Sequence, residues 1–284
     1  MIVADFRKNT NTTEDMNTRL TKEDQAIIKE ARRYKCSGPI YSEDGLRLLK
    51  VLGNPEFVEV KDGVKAICDY AFLGLNNLHD MVLPASVVDL GEEAFASCHE
   101  LFKITMPGVE FIGKESFALC YNLKEIALPE TLRQIRAGAF ACCKAMEKIN
   151  IPSHMKIVDM SAFRSTGLKS LNIEISDDYK CYIYDKAFAS CKHLESVYLN
   201  KNVKIMERMA FAGCTSLKTI EFEQPSLTCY AGEINATMLI GCTSLEKIIV
   251  PKNKYNAYPD FNIHGYESAQ FETRDFNSLI TPKE

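Results

Sequence analysis

The chain has 284 residues and a mass of 32.0 kDa; 46% of its residues are hydrophobic, 25% are charged, and its formal net charge is -4. This is the composition of an ordinary globular protein, and the mildly acidic balance without a basic run argues against a nucleic-acid partner. No apolar stretch approaches the roughly 20 residues of a membrane span. The N-terminus lacks the apolar core of an export signal, which indicates a cytoplasmic protein; an upstream signal in the native chain would instead indicate the cell surface or secretion.

The N-terminal part reads as an irregular start followed by a helix and a hairpin. Residues 1–20 are rich in Thr, Asn and charge, and we expect them to be poorly ordered. Thr21 is the predicted N-cap of a helix that ends before residue 38. Asp44 and Gly45 separate two apolar runs and predict a β-hairpin. This hairpin would shield the open edge of the structure that follows.

A short phrase, Ala-Phe-Ala followed by a small residue and Cys, recurs about every 23 residues. A residue five before each Phe is apolar, and Leu-x-x-Ile-x-Leu follows each Cys, with the alternation of a strand that buries one face. Periods of 20 to 50 residues indicate a stack of similar units, none of which can bury its apolar face alone. The predicted core ladder consists of Phe72, Phe95, Phe117, Phe140, Phe163, Phe188 and Phe211 together with Cys98, Cys120, Cys143, Cys191, Cys214 and Cys242.

The eleven cysteines are a high and odd number. Six of them share one repeat position, which is most simply a buried column of small apolar side chains. Disulfide or metal roles remain alternatives, although the Cys-x-x-Cys spacing typical of zinc sites does not occur. We therefore predict no metal and no cofactor.

Leu-x-x-Ile-x-Leu at this period, with the added Ala-Phe-Ala-x-Cys phrase and Val-x-x-Ile-Gly before it, resembles the BspA-like leucine-rich repeat proteins of bacteria and some protists. The resemblance runs from about Ile40 to about Tyr258. It implies a β-rich solenoid of the α/β repeat class: a right-handed, curved stack of about eight repeats of ~23 residues with an N-terminal helix and hairpin cap. The expected organisation is a start and helix over 1–37, a hairpin cap over 38–60, repeats over 61–251, and a C-terminal cap and tail over 252–284.

The exposed strand positions form columns about 4.8 Å apart, which we place on the concave face. The column that contains Lys124 and Glu147 alternates in sign over six members, so neighbouring charges attract and the net field is low. Aromatic side chains are the candidate anchors for a partner, although scattered exposed aromatics are also common. The candidates are Phe102, Tyr198, and Tyr179, Tyr182, Tyr184 and Tyr230, of which the last four lie in irregular repeats.

The steps from Phe163 to Phe188 and from Phe211 to Leu239 are longer than the others. Such insertions map to loops that are often used for binding, and neutral drift in a tolerant loop is the alternative. Cys98-His99 and Cys191-Lys192-His193 each suggest a nucleophile and a base. Both cysteines, however, belong to the buried column, where a thiol is unreactive.

These patterns predict a non-enzymatic protein–protein interaction module that uses the concave strand face and the irregular loops. The family resemblance offers a cell-surface adhesin or host-protein-binding protein as the alternative, and an enzyme with an unrecognised site is a third. The expected partner is a protein, not nucleic acid.

Overall fold

The computed structural model describes residues 18–205, 209–223, 236–251 and 270–274. In chain order, its elements are α1 Lys22–Arg33, β1 Gly38–Tyr41, β2 Arg47–Leu52, β3 Ala66–Ile67, β4 Asp80–Val82, β5 Asp89–Leu90, β6 Lys103–Thr105, β7 Phe111–Ile112, β8 Glu125–Ile126, β9 Gln134–Ile135, β10 Ile157–Val158, β11 Ser170–Ile173, β12 Cys181–Ile183, β13 Ser196–Leu199, β14 Val203–Ile205, β15 Thr219–Phe222, a short 3₁₀ helix Ala236–Leu239, β16 Lys247–Pro251 and β17 Gln270–Arg274.

In the described residues, the strands form three sheets around one large core, and a small second core lies under the N-terminal helix. A nine-stranded sheet has the order β1-β2-β3-β5-β7-β9-β10-β12-β14. The strands of the Leu-x-x-Ile-x-Leu segments form a three-stranded sheet β4-β6-β8 and, together with β17, a five-stranded sheet β11-β13-β15-β16-β17. All pairs are parallel except β1 with β2, and residues about 23 apart are partners, as with Asp80 and Lys103. The chain is therefore a β-solenoid of about seven turns of ~23 residues with one N-terminal helix; the solenoid and its period confirm the prediction, which put the number of repeats at about eight.

The seven phenylalanines form the predicted ladder through the core. Each of them is fully buried. Consecutive rings from Phe72 to Phe211 are stacked with centroids 4.5 to 5.5 Å apart and interplanar angles of 18° or less. Each of the five inner rings is thus covered by the rings of the turns before and after it, as expected for repeats that cannot bury their apolar faces alone.

Each turn bends sharply on both sides of its phenylalanine. The residues two before and two after every Phe of the ladder have positive φ, and most of them are not glycine. Left-handed backbone costs about 1 kcal/mol or more for such residues. Hydrogen bonds to the next turn offset this cost: the amides of Glu115, Phe117 and Leu119 donate to the carbonyls of Ala137, Ala139 and Ala141 at 2.7 to 2.8 Å.

The glycine in Val-x-x-Ile-Gly is required by close packing of adjacent turns. A Cβ added to Gly113 would lie 2.3 Å from the carbonyl oxygen of Gly91, and one added to Gly91 would lie 2.5 Å from the amide nitrogen of Asp69. Both contacts are with backbone, which cannot move aside without separating the turns.

Helix α1 and the hairpin close the N-terminal end of the nine-stranded sheet. Thr21 is the N-cap, as predicted: its hydroxyl accepts from the Asp24 amide, and the Asp24 carboxylate accepts from the Thr21 amide. The nearly buried Asp24 carboxylate also pairs with Arg47 of β2 at 2.9 Å. Ile28 of α1 joins Leu49 in a small core of its own. The helix therefore packs against side chains of β2 and Cys68, while β1 of the hairpin is the edge strand of the sheet.

Within the described ranges, no helix is long and apolar enough to cross a membrane. The predicted disordered start falls almost entirely on residues 1–17, which lie outside the described part of the chain, as do most of 252–284.

Replacing Phe117 by Ala should lower the free energy of unfolding by about 3 to 5 kcal/mol, because it removes a ring stacked on both sides and leaves a cavity between turns. Urea unfolding followed by circular dichroism measures this change. The matched control is Leu73→Ala, at a side chain that is 38% exposed, which should cost less than about 1 kcal/mol. An equal loss in the two variants would contradict the ladder.

Candidate functional site

One regular surface consists of the outward side chains of the three-stranded and five-stranded sheets, which we call the strand face. The register of the strands confirms the columns drawn from the sequence. Asp80, Lys103 and Glu125 are neighbours in one column, and Tyr198 lies between Asn172 and Glu221 in another. Side chains 23 residues apart are therefore neighbours on this face.

The alternating charges on the strand face pair with each other across turns. Lys103 lies 3.2 Å from Glu125, Lys169 lies 2.8 Å from Glu147, and Lys218 lies 3.0 Å from Glu195. A hydrogen bond from Lys169 lowers the pKa of Glu147. Exposed pairs of this kind contribute little stability, but they align the turns and leave the face nearly neutral.

Two of the predicted aromatic anchors lie on the strand face. Phe102 stacks on His79 of the preceding turn with centroids 5.4 Å apart, and the Nδ1 atom of His79 is 3.0 Å from the Asp80 carboxylate. Tyr198 is in β13 and is half-buried, like Phe102. These side chains are in the N-terminal and C-terminal sheets respectively, so a partner that contacts both must span several turns.

The other predicted anchors are elsewhere. Tyr182 is in β12, and Tyr184 directly follows that strand; both belong to the nine-stranded sheet and are half-buried. Tyr179 lies in the loop before β12, is 40% exposed, and contacts the His154 ring edge-on at 6.1 Å. Tyr230 lies outside the described residues. The predicted set is thus divided between two sheets and a loop, because the repeat pattern is irregular between Phe163 and Phe188 and does not assign the tyrosines there to a sheet.

The loop that contains Tyr179 is held in place by a buried amide of the next turn. The Nδ2 atom of Asn202 lies 3.1 Å from the Ile175 carbonyl, 3.3 Å from the Ser176 carbonyl and 3.0 Å from the Asp177 carboxylate. Asn202 is only 6% exposed. The longer repeat between Phe163 and Phe188 is therefore an anchored loop with specific polar contacts.

The six ladder cysteines are fully buried thiols, as predicted. Each thiol donates to the carbonyl oxygen of a ladder phenylalanine in the preceding turn, at 3.1 to 3.2 Å, for example Cys98 to Phe72 and Cys120 to Phe95. Such bonds are individually weak, but they satisfy one buried carbonyl for each rung. The column is therefore part of the packing that joins turns.

Thr166 occupies the rung that lacks a cysteine, in the unit that is one residue short. Its hydroxyl donates to the Phe163 carbonyl at 2.9 Å and lies 3.1 Å from the Cys191 sulfur. The neighbouring residue must be glycine, because a Cβ added to Gly167 would lie 2.0 Å from the Lys144 carbonyl oxygen and clash with it. The spacing of Phe163 to Leu168 contained this signal, but sequence reasoning did not assign Thr166 to the column.

Cys98 and His99 do not form a nucleophile–base pair. The thiol points into the core, where burial raises its pKa to about 11, whereas the His99 ring stacks on Tyr121 with centroids 5.0 Å apart. Burial also raises the pKa of Cys181 to about 12. A protonated, enclosed thiol is a poor nucleophile. In the described part of the chain, no three His, Cys, Asp or Glu side chains are placed to hold a metal ion.

Parallel strands repeated every 23 residues around a core of Phe and Leu define a leucine-rich repeat solenoid. The family model described as the BspA type leucine rich repeat region matches residues 52–169 and 156–260, with six copies. The chain therefore belongs to the BspA type leucine-rich repeat family, as its motifs indicated.

Several solved structures are similar. A leucine-rich repeat protein from Bacteroides ovatus is 23% identical with a TM-score of 0.43, covering 84% of this chain and 75% of that one. A leucine rich cell surface protein from Faecalibacterium prausnitzii is 20% identical with a TM-score of 0.37, covering 75% and 86%. The pneumococcal vaccine antigen PcpA is 17% identical with a TM-score of 0.42, covering 83% and 46%. No curated protein matches.

The ladder thiols should react slowly with a thiol reagent in the native state and fully after denaturation, because the reagent cannot reach them. Cys36, which is exposed, and Cys142, which is half-buried, are the internal controls and should react first. Mass spectrometry of labelled peptides measures both groups. Labelling of Cys120 as fast as Cys36 would contradict the packing described above.

Stability should fall as the pH rises from about 9 to about 11. The folded state keeps the Cys98 proton up to a pKa of about 11, whereas the unfolded thiol releases it near its ordinary value of 9.0, so alkaline pH favours unfolding. Cys98 alone should account for a loss of up to about 3 kcal/mol in the free energy of unfolding over this pH range. Urea unfolding at several pH values measures the fall, which should be shallower in Cys98→Ala. Identical slopes in the two proteins would contradict this account.

Proposed function

We propose that this protein is a non-enzymatic scaffold that binds a protein partner through its strand face. The observation that carries the proposal is the combination of half-buried aromatic side chains, Phe102 and Tyr198, with charges that already neutralise each other across turns. Aromatic side chains supply much of the binding energy in protein interfaces. A neutral face gives little attraction to a polyanion, which favours a protein over nucleic acid.

The geometry of the repeats also supports a binding role. Neighbouring turns present equivalent positions at regular intervals, so a partner can contact several turns at once. The thiol of Cys98 is enclosed by the core and its neighbour His99 is stacked on Tyr121, which argues against the catalytic alternative at this position. Membership of the leucine-rich repeat family is consistent with protein interaction.

Changing Tyr198 to Ala should weaken partner capture by at least about tenfold, because it removes an aromatic contact from the strand face. Tyr182→Ala is the matched control, since Tyr182 is also a half-buried strand tyrosine but belongs to the nine-stranded sheet. Immobilised protein is exposed to lysate of the producing cell and, separately, to host extract, and the bound proteins are quantified by mass spectrometry.

The two extracts separate an internal partner from the host-protein binding of an adhesin. If Tyr182→Ala lost the captured partner while Tyr198→Ala still bound it, the binding surface would be assigned to the nine-stranded sheet. Retention in both variants would contradict a role for either predicted aromatic position.

A further inference from the structure

The strand face begins one turn earlier than its first strand, with residues 56–60. Two contacts join residues that are 23 apart on either side of this segment: Asn54 bonds to Asn77 at 3.1 and 3.2 Å, and the Gly63 amide donates to the Ser86 hydroxyl at 3.1 Å. Val58 and Val60 are buried in the core, as Met81 and Leu83 are. Phe57 is therefore in the same column as Asp80, and Glu59 is in the same column as Val82.

Two apolar side chains in this first part of the strand face are almost fully exposed. Phe57 has an exposed fraction of 73%, more than any other large hydrophobic side chain in the described ranges, and Val82 of the next turn has 68%. The two are diagonal neighbours on the face, because Phe57 is beside Asp80 and Val82 is beside Glu59. Adjacent exposed apolar side chains of this kind are typical of interaction sites.

Carboxylates surround this pair without the partners that the rest of the face provides. Glu56, Glu59 and Asp80 are all exposed. Among the described residues, no lysine or arginine forms an ion pair with Glu56 or Glu59, and Asp80 has only His79. Two lysines close by in the sequence or register have other contacts: Lys103, the strand neighbour of Asp80, pairs with Glu125 at 3.2 Å, and Lys61 lies over the Tyr41 ring at 4.5 Å. The charge pairing of the later turns thus stops here.

The backbone edge at this position is partly closed. The Tyr41 hydroxyl accepts from the Lys61 amide at 3.2 Å and is 3.4 Å from the Glu59 carbonyl, to which it donates. A single side chain therefore takes up the hydrogen bonds that an added strand would use at this point. This contact disfavours extension of the sheet next to Glu59 and Lys61 and leaves the outward side chains of the face for binding.

We propose that Glu56, Phe57, Glu59, Asp80 and Val82, the Phe57 patch, bind a segment of a protein partner that carries large apolar side chains flanked by Lys or Arg. Apolar side chains would cover Phe57 and Val82, and the flanking cations would neutralise the three carboxylates. This inference rests on the proposed function and names the chemistry of the segment that the N-terminal end of the strand face recognises.

The test measures binding of a fluorescent Lys-Leu-Phe-Lys-Leu-Phe-Lys peptide by anisotropy at low and moderate salt. Wild type should bind it, and should bind the Glu-for-Lys and Ser-for-Leu/Phe versions at least about tenfold more weakly. Phe57→Ser should weaken binding about tenfold or more. Glu56→Gln with Glu59→Gln should weaken it and reduce its salt dependence. Thermal unfolding should be nearly unchanged in all variants, because these side chains are exposed.

The matched charge control is Glu147→Gln with Glu195→Gln, which removes the same charge from carboxylates already paired with lysines. This variant should bind the peptide as wild type does. If both double variants weakened binding equally, the peptide would be held by the overall negative charge of the protein and the proposal would be overturned. Unchanged binding in Phe57→Ser would also overturn it. A wild-type dimer that Phe57→Ser dissociates, without peptide binding, would assign the patch to a second copy instead.

The patch and the wider proposed function fail in different ways. A captured partner that depends on Tyr198 while the peptide shows no dependence on Phe57 would keep the scaffold role and overturn the patch. Peptide binding that depends on Phe57 and on the two unpaired glutamates supports the patch, whatever the outcome at Tyr198.

Discussion

The contact between consecutive turns is the interaction on which the whole molecule depends. Each inner phenylalanine ring is covered by the rings of the turns before and after it, and each ladder thiol donates to the carbonyl of a phenylalanine in the preceding turn. The backbone amides around each ladder phenylalanine donate to carbonyls at the equivalent positions of the following turn, as the Phe117 amide does to the Ala139 carbonyl. Hydrophobic burial and hydrogen bonding therefore act along the same axis, and the stack is stable only as a series. The helix and hairpin are needed because the first turn has no predecessor.

This arrangement explains the cysteine content. A thiol is small enough for the core column, apolar enough to be buried, and able to donate to the carbonyl that the tight bend exposes. Burial raises the pKa of Cys98 and Cys120, which keeps these thiols protonated and unreactive. Thr166 fills the position where the cysteine is missing with another small side chain, but its hydroxyl donates to the Phe163 carbonyl of its own turn.

The same regularity organises the surface. Because equivalent residues are stacked about 23 positions apart, charges of alternating sign become neighbours and pair, as Glu147 and Lys169 do. The face is therefore ordered and nearly neutral along most of its length. The first turn breaks this rule, because Glu56 and Glu59 form no ion pair within the described residues and Phe57 is left exposed. A departure from a repeated pattern is where a specific role is most visible.

The sequence by itself determined the stack, the buried columns of Phe and Cys, the register of the strands and the helix cap at Thr21, because each of these follows from local spacing repeated many times. It also contained the 23-residue spacing that places Phe57 on the strand face. Only the tertiary structure decided that Tyr182 and Tyr198 belong to different sheets, that Asn202 anchors the Tyr179 loop, and which charges are paired. Those facts depend on contacts between turns, and side chains from adjacent turns meet only after the chain has closed each turn.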